Sequence, residues 1–468
     1  MIRVQNAARW FAPLLGLLAG ALAFHNGMSR EASITLGVAI LTALWWMLEA
    51  VPIPAASLVP IALLPLFGVL PAKTLVAQSY GHPLVLLLLG GFLLSKAMEK
   101  SGVHRRLALG MVRASGGGGA KSLMLGFMLA AAALSMWISN SATTLMLLPI
   151  ALAVLEGARR EDASASTLAA PLMMGIAYAS SVGGMGSPIG TPPNLVFVEQ
   201  FEKHTGQAMT FTGWMKVGLP VVVTMIPLMW LWLSRGLSNE ERVQVPRSGP
   251  WRAAEWRTLV VFGLTALAWI TRSEPFGGWS KWCDLPGAND ASVAFVGVLL
   301  LFVLPDGSGR EGEKGRLLDW ESAQKVPFGM LLLFAGGICL AEGIRVSGLS
   351  ERAVGVLSGV GTLPVLGMIV VICLLMTFLT EVTSNTASTL LMLPILGAVA
   401  VANGVDPKLL MLPAALSASC AFMLPVGTAP NAVVFGTGFL TVPRMAREGL
   451  VLNLIGVVVI ALYCWLLG

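Results

Sequence analysis

The sequence predicts an all-α polytopic membrane protein of about eleven transmembrane helices and two re-entrant hairpins, built as inverted-topology repeats. Three observations predict it. Charged residues make up only 12% of the 468-residue chain, against 56% hydrophobic and a mean hydropathy of +0.80. A soluble domain carries about 25% charged residues, so lipid replaces water as the main solvent. Two long uncharged runs are each interrupted by a Ser-Asn knot, SNSATTLMLLP at 139–149 and SNTASTLLMLP at 384–394. Sequence blocks around those knots recur in the same order. No run of alternating apolar and polar residues, the mark of a membrane β-barrel, is present.

Candidate spans fall at roughly 7–24, 33–50, 54–70, 82–99, 165–189, 212–234, 256–272, 289–305, 325–343, 407–424 and 444–467. The first begins MIRVQNAARW and has the basic start and apolar middle of a signal peptide. A first membrane helix is preferred, because polytopic proteins commonly keep their first apolar segment. The expected organisation is an N-terminal helix over 1–30, then repeats over 31–245 and 246–468.

The two knot-bearing segments, about 122–157 and 364–402, do not behave as simple spans. Residues 122–155 contain no charge and as one helix would run about 51 Å, too long for a hydrocarbon core of about 30 Å. Each arm alone is short for a crossing. A hairpin fits: into the membrane, a turn at Ser-Asn, and back out on the same side. With eleven crossings and a cytoplasmic N-terminus, 21 of the 30 Lys and Arg residues fall in cytoplasmic segments, Arg235, Arg242, Arg247, Arg310, Lys314, Arg444 and Arg447 among them. That agrees with the positive-inside rule, and the expected location is the inner, cytoplasmic membrane. The net charge of +6 then reports topology and needs no nucleic-acid partner.

The repeat is wider than the knots. The block 88–108 lines up with 333–353, and SPIGTPPNLVF (187–197) with LPVGTAPNAVVF (424–435). Five crossings and a hairpin per copy invert the second copy relative to the first, an architecture of secondary transporters. Unwound backbone at a hairpin tip is tolerated in a membrane only around a cavity. Its free carbonyls, with Asn, Ser and Thr oxygens, suit a hard monovalent cation. Amide and hydroxyl donors at the start of a following helix suit an anion. Helices broken at Gly190-Thr191 and Gly427-Thr428 would add carbonyls and hydroxyls to the same cavity. A single Ser-Asn in a membrane helix would be read as an interhelical hydrogen bond. Two matched knots, each followed by a matched Pro-Gly break, favour a binding site. Glu381 before the second knot is costly in a membrane, has no counterpart before the first, where Met136 and Trp137 stand, and reads as support for the hairpin. Glu49 and Glu342 fall near expected helix ends.

These residues resemble the divalent anion:sodium symporter family, and the resemblance runs through nearly the whole chain. It implies a homodimer whose protomers each have a scaffold domain and an elevator-like transport domain. It also implies Na+-coupled uptake of C4-dicarboxylates such as succinate, malate or fumarate. By motif, it assigns Ser135, Ser139, Asn140 and Gly190 to one Na+ site and Thr380, Thr383, Asn385 and Gly427 to another, two or more Na+ ions in all. Substrate carboxylates would meet Ser139, Asn140 and Ser141 on one side and Ser384, Asn385 and Thr386 on the other, with Thr191, Pro192 and Thr428 completing the cavity. Ser141 stands where the family more often has threonine, which bears on substrate preference. The alternatives are a Na+-independent exchanger, or a symporter for sulfate, citrate or another divalent anion. No His or Lys occurs in either knot or either Pro-Gly block, which favours a cation over a basic side chain.

Other classes fit poorly. An intramembrane enzyme needs a nucleophile with a base, or a metal cluster, at depth, and the four histidines lie near the ends of apolar runs. The five scattered cysteines read as small apolar residues. ASGGGGAKS (114–122) lacks the glycine that precedes lysine in a P-loop and follows no strand. Mirrored hairpins point to alternating access over a channel.

Overall fold

The computed structural model describes residues 2–73, 79–115, 119–161, 166–237, 249–273, 276–308, 315–349 and 364–467. Among them regular structure is helical, save one isolated bridge between Pro305 and Arg316. The expected repeat boundary at 245/246, the basic residues Arg242, Arg247, Arg310 and Lys314, and the end of the 333–353 block lie outside the described residues.

Two helices open the chain, α1 (Ile2–His25) and α2 (Arg30–Leu48), joined by a short turn in which the Ser29 hydroxyl accepts from the Ala32 amide. They run antiparallel at very close range. A Cβ on Gly16 would lie 2.6 Å from the Gly37 carbonyl oxygen, and one on Gly37 would lie 2.7 Å from that of Gly16. One turn on, Gly20 faces the Ser33 carbonyl in the same way. Small residues four apart let two membrane helices approach backbone to backbone, and Arg9 Nε adds a bond to the Ala50 carbonyl. The first apolar segment is therefore packed as a helix of the bundle.

The segment expected over 54–70 is built of two consecutive short helices, α3 (Ile53–Ala56) and α4 (Leu58–Leu66), divided at Ser57. Prolines at 52, 54, 60 and 65 remove donors from this stretch, and Trp46 Nε1 holds the dividing Ser57 hydroxyl at 2.9 Å. Next come α5 (Pro83–Ser101) and α6 (Val103–Ala114), separated by Gly102 in the left-handed region. The first knot lies between α7 (Ala120–Ser135) and α8 (Asn140–Glu161). The first Pro-Gly block lies between α9 (Ser166–Gly183) and α10 (Pro192–Thr205), followed by α11 (Phe211–Leu233).

The second half holds α12 (Ala253–Thr271), the short α13 (Gly278–Trp282), α14 (Asp290–Val303), the short α15 (Trp320–Ala323) and α16 (Phe328–Val346). The second knot separates α17 (Val365–Thr380) from α18 (Asn385–Ala402), and the second Pro-Gly block separates α19 (Pro407–Ser417) from α20 (Ala429–Phe435); α21 (Val442–Leu466) ends the chain. The duplication is visible in these bounds. Both α5 and α16 have 19 residues, and both α7 and α17 have 16. One offset carries the bounds of α7 and the start of α8 onto α17 and α18.

Eight of the described helices are long and apolar enough to cross a membrane: α1, α2, α9 with the turn after it, α11, α12, α16, α18 and α21. The chain is thus a multi-pass membrane protein. The segment expected over 289–305 forms the 14-residue α14, about 21 Å long. The breaks also begin earlier than the sequence suggests. Helix ends at Gly183 and Ser417, and Gly190-Thr191 and Gly427-Thr428 are the last residues of each unwound stretch. Pro192 and Pro430 then sit in the first turn of the next helix, where a missing N–H costs nothing.

Packing interlocks the copies. The arm α8, after the first knot, packs on α20, after the second break; α18, after the second knot, packs on α10, after the first break. All four motifs are thereby gathered into one region, with Tyr178 and Phe422 in ring contact at 5.1 Å. At one pole, charged pairs close the ends of α5, α6 and α12. Arg106 meets Glu255 at 3.0 Å, and Lys100 meets Asp319 at 2.5 Å. The Lys100 hydrogen bond holds the Asp319 carboxyl down at about 2.

Replacing Gly37 by leucine should drive α1 from α2 and lower the midpoint of thermal unfolding by several degrees, since overpacking costs about 1–3 kcal/mol. Gly263→Ala, on an open face of α12 with nothing within 4 Å, should leave the midpoint level or raise it slightly. Tryptophan fluorescence of the detergent-purified protein reads both, and equal midpoints for the two variants would refute the close α1–α2 contact.

Candidate functional site

The first knot closes on itself. At the end of α7 the Ser135 hydroxyl lies 2.7 Å from the terminal amide of Asn140, the first residue of α8. The same amide atom is 3.3 Å from the carbonyl oxygens of both Ser180, on α9, and Gly190, in the first break. With nitrogen there, all three oxygens are acceptors within reach of the amide's two hydrogens. With oxygen there, four oxygens face one another, a donor set suited to a monovalent cation. The glycines are required by space. A Cβ on Gly190 would lie 2.4 Å from the Gly184 carbonyl oxygen and 3.0 Å from that of Ser135, and one on Gly184 would lie 2.7 Å from Asn140 Oδ1. Ser135, Asn140 and Gly190, named together by the sequence, thus share one small volume.

The second knot repeats the geometry. Thr380 stands where Ser135 stands, and its hydroxyl donates to Asn385 Oδ1 at 2.5 Å and approaches the Ala418 carbonyl at 3.0 Å. That carbonyl is freed by the end of α19. Beyond the knots, Thr144 and Thr389 donate back to the Asn140 and Asn385 carbonyls at 2.9 and 2.7 Å. Thr383 departs from the pattern: its hydroxyl is engaged with the Leu379 carbonyl and with Ser388 Oγ at 2.5 Å. Gly427 is buried, its missing Cβ facing Glu381 Oε2 and the Leu424 carbonyl.

The remaining expected residues line the starts of the second arms. Ser139 is exposed and its hydroxyl accepts from the Ala142 amide at 3.3 Å. Ser141, Ser384 and Pro192 are half-buried, and Thr386 is buried. Thr191 and Thr428 precede α10 and α20 in extended backbone; Thr428 caps its helix through the Asn431 amide, whereas Thr191 makes no such cap.

Sequence reasoning missed what holds the breaks open. Asn194 Nδ2 donates to the Gly184 and Ser187 carbonyls at 2.9 and 2.7 Å. Asn431 Nδ2 does the same to Ala421 and Leu424 at 2.8 and 3.0 Å. Each asparagine is fully buried, and each bridges two carbonyls that the unwound stretch leaves without helical partners. The amide oxygens of both are buried without a hydrogen bond. The signal was present, because each of the motifs GTPPN and GTAPN ends in this asparagine. Ser187 Oγ adds a bond to the Met136 carbonyl, tying the first break to the first knot.

Glu381 does the equivalent work in the second copy with a carboxyl group. Its carboxylate accepts from the Met423 and Leu424 amides at 2.8 and 3.0 Å, and from Asn453 Nδ2 of α21 at 2.7 Å. It therefore supports the broken stretch between α19 and α20. In the first copy Met136 takes that place and packs against Gly186. Glu342 is paired with Arg345, and Glu49 closes α2 with positive φ. Four cysteines are buried in the core and Cys283 is exposed. Among the described residues no group of three or more His, Cys, Asp or Glu is placed to hold a metal ion.

The chain as a whole is also similar to known proteins. The family described as "Sodium:sulfate symporter transmembrane region" matches residues 6–467. A protein of Staphylococcus saprophyticus named "Sodium-dependent dicarboxylate transporter SdcS" is 37% identical over 491 residues, covering 99% of this chain and 93% of its own. The protein of that name from a bovine strain of Staphylococcus aureus is 39% identical over 470 residues, covering 96% and 88%. Among solved structures, the Alcanivorax borkumensis YdaH transporter matches with a TM-score of 0.60 at 14% identity, over 85% of this chain and 88% of that one. At that identity the likeness is one of fold.

Substituting leucine for Asn194 or Asn431 should cost roughly 1–3 kcal/mol, because the buried Gly184 or Ala421 carbonyl loses its side-chain donor, while Ser187 or Leu424 keeps only its turn bond from the Gly190 or Gly427 amide. Chemical or thermal unfolding of each variant checks this, and an unfolding curve that matches wild type would show the bridges to be dispensable.

Proposed function

The chain belongs to the sodium:sulfate symporter family, and from that premise we propose that it takes up C4-dicarboxylates such as succinate, malate or fumarate, driven by Na+. It is a transporter and not an enzyme. The observation that carries the reading is the matched pair of oxygen clusters, Ser135–Asn140 with Gly190 and Thr380–Asn385 with Ala418, each beside a broken helix. Relatives at 37–39% identity bear the name of sodium-dependent dicarboxylate transporters.

In this reading, one Na+ sits among Ser135, Ser139, Asn140 and Gly190, and another among Thr380, Thr383, Asn385 and Gly427. Thr383 contributes through its backbone carbonyl, since its hydroxyl is engaged within the turn. The ions tie each knot to its break and hold the starts of α8 and α18 in place. Those helix starts and the donors of Ser139, Asn140, Ser141, Ser384, Asn385 and Thr386 then receive the two carboxylates, with Thr191, Pro192 and Thr428 bounding the cavity. Two or more Na+ ions offset the charge of a dianion. Each net positive charge carried inward draws about 2.3 kcal/mol per 100 mV from the membrane potential.

The proposed frame has eleven crossings and two re-entrant hairpins, an N-terminal helix (1–30) and inverted repeats over 31–245 and 246–468. The N-terminus is cytoplasmic, in the inner membrane. A homodimeric scaffold carries α7–α11 and α17–α21 as the moving unit, which pack largely among themselves. A second reading rests on the family description, which names sulfate: the same donors would take a tetrahedral dianion.

Proteoliposomes with an inward Na+ gradient should accumulate labelled succinate, whereas a K+ gradient should not drive uptake; gradient-independent counterflow would instead identify an exchanger. Asn140→Ala and Asn385→Ala should each abolish Na+-driven uptake while the protein still inserts and dimerises. Near-normal transport by either would return the knots to a packing role. For Ser141→Thr, competition by sulfate and citrate against succinate should shift relative to wild type, and unchanged competition would remove Ser141 from selectivity.

A further inference from the structure

We propose that a cationic cavity at one pole of the bundle, away from the knots, binds the phosphate of an anionic phospholipid. The cavity, about 410 Å³, is lined by Arg235, Arg444, Arg447 and Glu448 above apolar side chains that include Met174 and Leu233. It joins the end of α11 to the first turns of α21.

Among the described residues the charges do not cancel. Arg235 grips the Glu448 carboxylate with two bonds, at 2.7 and 2.9 Å, and stacks on Trp232 at 3.9 Å. Glu448 is nearly buried, so its charge is committed to that pair. Arg447 reaches the same carboxylate at 3.0 Å but remains 75% exposed. Arg444 is exposed and makes no ion pair among the described residues. Among the described residues one carboxylate faces three guanidiniums, an excess of two positive charges for an anion, and guanidinium geometry matches phosphate oxygens.

What singles out a lipid is the surface below. Leu450, Leu454 and Val458 follow Arg447 at helical spacing, and all are exposed, so they form a stripe down the outer face of α21. A phosphate held at the rim leaves its acyl chain lying on that stripe. Basic pockets between membrane helices are a recurrent site for anionic headgroups. The site is independent of the transport reading, for none of these residues belongs to the knots or breaks.

The test uses the purified full chain in detergent, titrated with dioleoylphosphatidylglycerol or dioleoylphosphatidylcholine and read by native mass spectrometry. Phosphatidylglycerol should bind at least about tenfold more tightly than phosphatidylcholine. Arg444→Gln/Arg447→Gln should weaken it about 30-fold, at about 1 kcal/mol per basic residue, and Arg444→Lys/Arg447→Lys should recover most of that. An unchanged midpoint of thermal unfolding and a monodisperse elution profile certify the fold of the double variant. Should it misfold, Arg444→Gln alone, at an exposed residue with no ion pair among the described residues, should give about a fivefold loss. Equal binding of the two lipids, or undiminished binding by the variants, overturns the proposal. So does full displacement of phosphatidylglycerol by millimolar inorganic phosphate or succinate, which would make the cavity a site for soluble anions.

Discussion

Backbone groups released from a helix inside a membrane protein have no water to turn to, and the architecture of this chain follows from how two such releases are satisfied. Between α9 and α10, and again between α19 and α20, the chain unwinds. An unbonded buried carbonyl costs about 1–3 kcal/mol, so stretches of this length would not persist unaided. Asn194 and Asn431, each placed one turn into the helix that follows, reach back and bridge two of the freed carbonyls. Other freed carbonyls then remain turned toward the knots, Gly190 toward Asn140 and Ala418 toward Thr380. Oxygen-rich volumes arise because the staples occupy some carbonyls and spare others.

The two copies reach this end by different means. In the first, the knot and the break are joined by neutral groups, Ser187 Oγ on the Met136 carbonyl, with Gly186 against the Met136 side chain. In the second, a buried carboxylate gathers two backbone amides and a side-chain amide from α21. A buried carboxyl group is tolerated when it is hydrogen-bonded, and each oxygen of Glu381 has a donor. Duplication therefore fixed the placement of the knots, while divergence distributed the stabilising groups unequally. The cross-packing of α8 on α20 and of α18 on α10 couples the halves, so neither break is supported by its own repeat alone.

Much of the site was legible because the physics that marks it is local. Ser-Asn in an uncharged run is conspicuous against hydropathy, and its recurrence with the Pro-Gly blocks showed a repeat before any coordinates. Ser135, Asn140 and Gly190 come together as expected, as do Thr380 and Asn385. Thr383 was harder, because its hydroxyl is drawn to Ser388 by the register of α18, which a motif does not encode. The segments at 54–70 and 289–305 read as single unbroken helices by hydropathy. Ser57 and the surrounding prolines divide the first, and the second stops at 14 residues.

By itself, the sequence determined the solvent, the helical class, the duplication and the identity of the polar groups placed in the apolar interior. Each of these depends on composition or on spacing within a few turns of chain. Tertiary structure alone decided which carbonyls stay free, where the helices actually unwind, and that Glu381 serves the second break in place of a hairpin tip. Those outcomes depend on partners that meet only when distant helices pack, as Asn453 meets Glu381 and Ser180 meets Asn140. Hydrogen-bond satisfaction in a medium without water is a property of the assembled bundle, and no single segment carries it.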